Sequence, residues 1–223
     1  MAEEIERRPL EELLAAEDSW PELDELIESA INQAEVIEVD ESTRGLELHQ
    51  MQVTVGSFLG SLIWHTGGFT VEEGWLRVLG GPNEVGLPSV LDATAGVGQG
   101  LDGLPPSVAV GFDVLGGEFV INGGRFPGKL GNVFYFAPDT LEWEDLEMGH
   151  SSWISWVLHG DLHGFYRSYW WPNWEAEVSK LKLDETVHFV PFLSTQEAQD
   201  DIAGTSRAAV PWQEVRLQLG VLD

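Results

Sequence analysis

A chain of 223 residues with 43% hydrophobic residues, ten Trp and ten Phe can bury one substantial core, which excludes an intrinsically disordered protein despite its charge. Eleven basic against 38 acidic residues give a net charge of -27, which repels nucleic acid and anionic lipid and leaves cations and basic proteins as favoured partners. The lack of cysteine excludes disulfides, thiolate metal sites and cysteine nucleophiles.

The charge is uneven. Residues 1–50 hold 16 acids against 3 bases, 51–133 hold 7 against 3, and the remainder 15 against 5. The near-neutral middle is the expected location of the buried sheet. An acidic surface also serves solubility and salt adaptation, and the three lysines (Lys129, Lys180, Lys182) fit that use equally well. The N-terminus is charged and amphipathic rather than signal-like, and no apolar run approaches a membrane span, so a cytoplasmic protein is expected.

In chain order, Pro9 can open a short helix through Ala16. Ser19 and Glu22 form a capping-box pattern that opens a second helix, with Leu23, Leu26, Ile27, Ala30 and Ile31 on one face. Glu35–Val39 alternates like a short strand. A helix from Ser57 is stopped by Gly67 and Gly68, and Phe69–Leu79 is strand-like with a turn near Gly74. Residues 80–106 are a Gly/Pro-rich loop with a helical turn around Ser89–Asp92. Val108–Val114 and Glu118–Asn122 form a hairpin, and Val133–Phe136 is a further strand. Ser151 or Ser152 is expected to cap a helix ending near Gly160, and Asp161 to Trp170 forms another, stopped before Pro172. Trp174–Leu183 can form a third; Val187–Leu193 and Val210–Leu217 read as strands, Pro211 placing the latter at an edge.

No motif names a chemistry. His159 and His163 have the i, i+4 spacing of a metal pair, but Gly160 breaks the helix and no Glu follows the first His. There is no G-x-S-x-G, and the run Gly96 to Gly100 lacks the Lys and hydroxyl of a phosphate-binding loop. No cofactor or metal is expected. Six tryptophans fall between Trp143 and Trp174, among the acids Glu144, Asp145, Glu147 and Asp161. Trp153 and Trp156 share a helix face and are expected in the core. The expected partner surface combines Asp139, Glu142, Trp143, Glu144, Asp145 and Glu147 with Trp170, Trp171 and Trp174 around Pro172. The same rings could instead pack helices onto the sheet.

The segments QVTVGSFLGSLIWHTGGFTVEEGWLRVLG, GFDVLGGEFVINGG, GNVFYFAPDTLEWEDLE, GDLHGFYRSYWWPNW and VPFLSTQE together resemble a bacterial family of uncharacterised proteins, from about Leu10 to Glu214. That family is similar to the SUKH superfamily of yeast cell-wall regulators and bacterial immunity proteins. The resemblance implies one α+β domain over 1–223, with a curved, mixed or mostly antiparallel sheet packed by N- and C-terminal helices; residues 1–18 can form an N-terminal extension. It implies non-enzymatic protein binding, an immunity-type inhibitor of a basic toxin being the leading expectation. Residues 82–106 depart from the family pattern. The alternative is an enzyme with an acidic or His-containing cleft drawn from Asp113, Asp139, Glu142, His159 and His163.

Overall fold

The computed structural model describes residues 7–95 and 105–221. The fold is α+β. Seven strands form an open antiparallel sheet in strict chain order: β1 (Ala34–Ile37), β2 (Gly68–Val71), β3 (Leu76–Leu79), β4 (Ser107–Asp113), β5 (Glu118–Asn122), β6 (Asn132–Ala137) and β7 (Glu142–Gly149). A separate antiparallel ribbon joins β8 (Glu185–Val190) to β9 (Ser206–Pro211). The helices preceding β4 are α1 (Leu10–Leu14), α2 (Trp20–Glu28), α3 (Arg44–Met51), α4 (Phe58–His65) and α5 (Val90–Thr94). Those following β7 are α6 (His150–His159), α7 (Leu162–Phe165), α8 (Trp174–Val178), α9 (Gln196–Asp200) and α10 (Trp212–Gln218).

Central strands are apolar on both faces because both faces are covered. β2, β3 and β6 are buried at every position, whereas the outer strands β1 and β7 expose half of theirs. On one face Trp153 of α6 packs on Phe119 at 5.1 Å and lies over Gly111, where a Cβ would come within 2.8 Å of the indole. The opposite face carries a row fixed by register: Glu35, Thr70, Arg77, Phe112, Glu118, Phe136 and Trp143 stand opposite one another across all seven strands. α10 covers its centre, Trp212 stacking on Phe112 at 4.2 Å. Arg216 makes two hydrogen bonds to Glu118, 2.8 and 2.9 Å, with both side chains 1% exposed. The ribbon is tied to the sheet where Val187 N donates to Val114 O.

The segment before β1 is integrated into the helical layer. Leu13 is fully buried, and Asp18 accepts hydrogen bonds from Ser61 Oγ and Trp20 N while pairing with His65 Nε2 at 2.7 Å.

Local chemistry differs from the expected pattern at five places. Ser19 precedes α2 without capping it, because its hydroxyl donates to Gly56 O and Pro21 lies in the first turn. α2 closes at Ser29, so Ile31 lies past the helix and is 77% exposed. α6 begins at His150 rather than at a serine cap, because Gly149 is still the last rung of the β6–β7 ladder and the strand runs directly into the helix. Asp161 does cap α7, accepting from Gly164 N, but the helix ends at Phe165. Residues 212–218 are helical: Pro211 ends β9 and precedes the first turn of α10, where its missing N–H costs nothing. α3 and β7 carry no strong periodic signal and were not among the expected elements. The glycine run at 96–100 lies outside the described residues.

Two consequences are measurable. Removing one member of the Glu118–Arg216 pair strands a buried charge, so Arg216→Met should cost about 3–5 kcal/mol in urea unfolding. The double variant Glu118→Leu/Arg216→Met should lose less than the single one. Glu47 of α3 is buried and accepts a hydrogen bond from Leu91 N at the start of α5. Burial pushes its carboxyl up to about 7 from 4.5. Its contribution to stability is therefore complete below pH 4.5 and lost as pH rises through about 7. Glu47→Gln should flatten the stability profile across that window, the difference from wild type approaching about 2–3 kcal/mol.

Candidate functional site

β7 is an edge strand, hydrogen-bonded to β6 alone. Half of its eight residues are acidic, and Glu142, Glu144, Asp145 and Glu147 are all exposed. Register divides them between faces. Glu144 stands opposite Tyr135, while Trp143 and Asp145 stand opposite Phe136 and Phe134 on the other side. The ladder is irregular between Asn132 and Phe134, and Glu147 has φ 56°. Asp145 stabilises that irregularity: it accepts two hydrogen bonds from Asn132 Nδ2 and one from Glu147 N. It is therefore a structural carboxylate, and Glu142, Glu144 and Glu147 are the ones turned wholly to solvent.

Trp143 is half-buried. Its ring lies 4.8 Å from Phe126, 5.4 Å from Phe136 and 5.5 Å from the Arg125 guanidinium, a cation–π arrangement within the chain. Asp139 is partly exposed beside Tyr169. Burial raises the Tyr169 phenol, and the neighbouring carboxylates of Asp139, Asp113 and Glu144 raise it further. Tyr169 thus joins the acidic segment to the aromatic one.

The aromatic segment divides the expected residues. Trp171 and Trp174 are buried, and Trp170 is half-buried. All three surround Trp75 from the β2–β3 turn, at 4.2 Å (Trp170), 5.1 Å (Trp174) and 5.3 Å (Trp171). Trp171 Nε1 donates to Glu177, and its ring meets Phe189 and Arg207. These two rings hold the segment 170–174 onto the sheet end and the ribbon. Pro172 is exposed, but the indoles on either side of it turn inward. Of the other pair, Trp153 is fully buried and Trp156 half-buried.

The residues considered for an enzymatic cleft have other occupations. Asp113 is 0% exposed and fully used: Oδ1 accepts from Leu115 N and Gly117 N, Oδ2 from Tyr135 and Tyr166 hydroxyls at 2.7 and 3.0 Å. Burial raises its pKa, partly offset by those hydrogen bonds. His159 bonds Leu26 O, and His163 is exposed beside Glu72. Asp139 is partly exposed and Glu142 exposed. Among the described residues no group of three or more His, Asp or Glu is placed to hold a metal ion. No helix among them is long and apolar enough to cross a membrane.

Sequence reasoning did not find Trp75 as the aromatic hub, nor the buried charges Arg77, Glu118 and Arg216. The available signal was a charged residue inside an apolar strand, as in Leu-Arg-Val-Leu at 76–79 and Glu-Phe-Val-Ile at 118–121. Such residues survive in a core only when paired or when a site requires them.

Asp113→Ala should leave two hydroxyls and two backbone N–H groups without their acceptor and cost about 3 kcal/mol or more in denaturant unfolding. Tyr135→Phe, which removes one donor of four, should cost about 1–2 kcal/mol.

Residues 10–215 match the family described as "Protein of unknown function DUF2625". A relative from Escherichia coli (strain K12), "Putative uncharacterized protein YbfG", is 36% identical over 194 residues, covering 86% of this chain and 88% of the relative. An "Uncharacterized protein" from Haemophilus influenzae is 34% identical over 187 residues, covering 83% and 82%. No solved structure matches. The bacterial part of the resemblance holds at this level, whereas nothing in these matches links the chain to the SUKH superfamily. A match spanning most of the chain, with two bacterial relatives above 30% identity over most of their length, establishes that this protein belongs to the DUF2625 family.

Proposed function

We propose that the chain is a non-catalytic protein-binding domain that captures a basic protein, in the manner of an immunity protein neutralising a cationic toxin; this is the function that SUKH kinship would imply. The observation that carries the proposal is the outer strand β7, where Glu142, Glu144 and Glu147 are exposed and the half-buried Trp143 stands on the opposite face of the strand from Glu142 and Glu144. Acids on an edge strand also block edge-to-edge association. That role needs charge alone. It does not require a large part-exposed ring on the same strand, and carboxylates on one side of an edge with an indole on the other offer a basic partner that wraps the edge both ion pairs and a flat aromatic face. The net charge of -27 adds long-range attraction for a cationic partner and speeds its approach. The surface proposed is Asp139, Glu142, Trp143, Glu144 and Glu147, with Asp145 holding the strand irregularity; Trp170, Trp171 and Trp174 gather around Trp75 instead and fall outside it.

The test is capture of cationic proteins by the immobilised full chain at low salt, with the association rate of the captured protein then measured at low and high salt. Wild-type binding should weaken steeply with salt. The triple reversal Glu142→Lys/Glu144→Lys/Glu147→Lys, which spares Asp145 and so the strand irregularity, should slow association at least about tenfold. Trp143→Ala should raise the dissociation rate, at a cost of about 2 kcal/mol. An absence of binding at low salt, or equal binding by the charge-reversed protein, would reject the proposal.

A further inference from the structure

A second feature lies away from β7. Arg77 is 1% exposed in the middle of β3, yet its Nε and Nη1 have no hydrogen-bond partner among the described residues. Its Nη2 makes a single long contact, 3.5 Å to Lys182 O. Burial lowers its pKa to about 10, so the guanidinium is charged at neutral pH. Buried arginines ordinarily fill their N–H directions, because an unpaired one is costly. The charges around it, Asp113, Asp184 and Glu185, act at a distance without bonding it.

Arg77 belongs to the wall of a cleft of about 200 Å³. Register places Glu35, Thr70 and Arg77 side by side on one sheet face, and Glu73 with Gly74 closes the end at the β2–β3 turn. Val178 of α8, Ser179, Leu181 and Leu183 form the facing wall. Glu35 and Glu73 are exposed, whereas Thr70 and Arg77 are buried. The cleft therefore has exposed carboxylates, a buried cation in its wall and an aliphatic side.

We infer that this cleft binds a small zwitterion of the α-amino acid class with an aliphatic side chain. Its carboxylate would take the unpartnered N–H groups of Arg77, which lie buried behind the cleft wall and would turn into it on binding, its ammonium would face Glu73 and Glu35, and its side chain would lie on Val178, Leu181 and Leu183. A simple anion would have to pass two carboxylates on a strongly negative protein. A simple cation would leave the guanidinium unpaired. The volume is below the range of drug-sized pockets and suits a ligand of a few heavy atoms. The inference concerns residues outside the β7 surface and is independent of the proposed capture of a basic protein.

The experiment is titration calorimetry of the full chain with L-leucine, isovalerate, isoamylamine and inorganic phosphate. L-Leucine should bind and raise the melting temperature, and each of the other three should bind at least about tenfold more weakly. Arg77→Met should weaken L-leucine at least about tenfold. Glu73→Gln, a change of equal size at an exposed position, should also weaken it and decides the matter if Arg77→Met does not fold. No binding of L-leucine, equal binding of isovalerate or phosphate, or wild-type affinity in Glu73→Gln would overturn the assignment.

Discussion

The carboxylate of Asp113 is the junction on which the rest of the structure depends. It sits at the end of β4, where the chain must reverse through Leu115, Gly116 and Gly117 into β5. One oxygen holds that reversal through two backbone N–H groups, and the other receives Tyr135 from β6 and Tyr166 from the residue after α7. A single buried group thereby fixes a hairpin, a neighbouring strand and the start of the aromatic segment. Gly117 is required by the same geometry, since a Cβ there would stand within 2.6 Å of both the Tyr135 hydroxyl and Asp113 Oδ2. Burying an anion is tolerable because four donors replace its water shell.

From that junction the chain reaches both faces of the sheet. Tyr166 leads into Trp170, Trp171 and Trp174, which close around Trp75 and meet the ribbon at Phe189. The ribbon then delivers α10, whose Arg216 and Trp212 settle on Glu118 and Phe112. With helices on one side and the ribbon with α10 on the other, the central strands lose both solvent faces, and only β1 and β7 remain to meet water. Net charge follows from this layout. Acids are scarce where residues are buried twice over and abundant on helices and edges.

The buried charges fall into two kinds. Asp113, Glu118 and Arg216 are matched by donors or acceptors within the protein, and their role ends with the fold. Arg77 lies in the same cross-sheet row as Glu118 but lacks a matching carboxylate in bonding contact. The exposed acids divide in the same way. Asp145 completes an irregular ladder, whereas Glu142, Glu144 and Glu147 make no contact that the fold requires. Groups left over from folding are where binding is sought, and here they lie on β7 and in the cleft beneath α8.

The sequence by itself determined the α+β class, the antiparallel middle, and most strands within it. Those segments are apolar, β-branched or aromatic, and they are separated by glycine turns whose chemistry is local. It also determined that Ser57 and Ser89 begin helices, since a cap acts across three residues. Only the tertiary structure decided β7, because a strand with acids at four of eight positions has no local signature and exists through pairing with β6. The same holds for residues 212–218, whose apolar positions suit either a strand or a helix until Phe112 and Glu118 offer a surface at helical spacing. It also decided which tryptophans are core. Trp170, Trp171 and Trp174 look alike in sequence and all reach Trp75, nearly a hundred residues earlier; what separates them is what else covers them, since Trp171 also packs on Phe189 and Arg207 while Trp170, the nearest to Trp75, stays half-buried. The pairing of Asp113 with two tyrosines and the incomplete pairing of Arg77 arise from register between strands, which no single segment encodes.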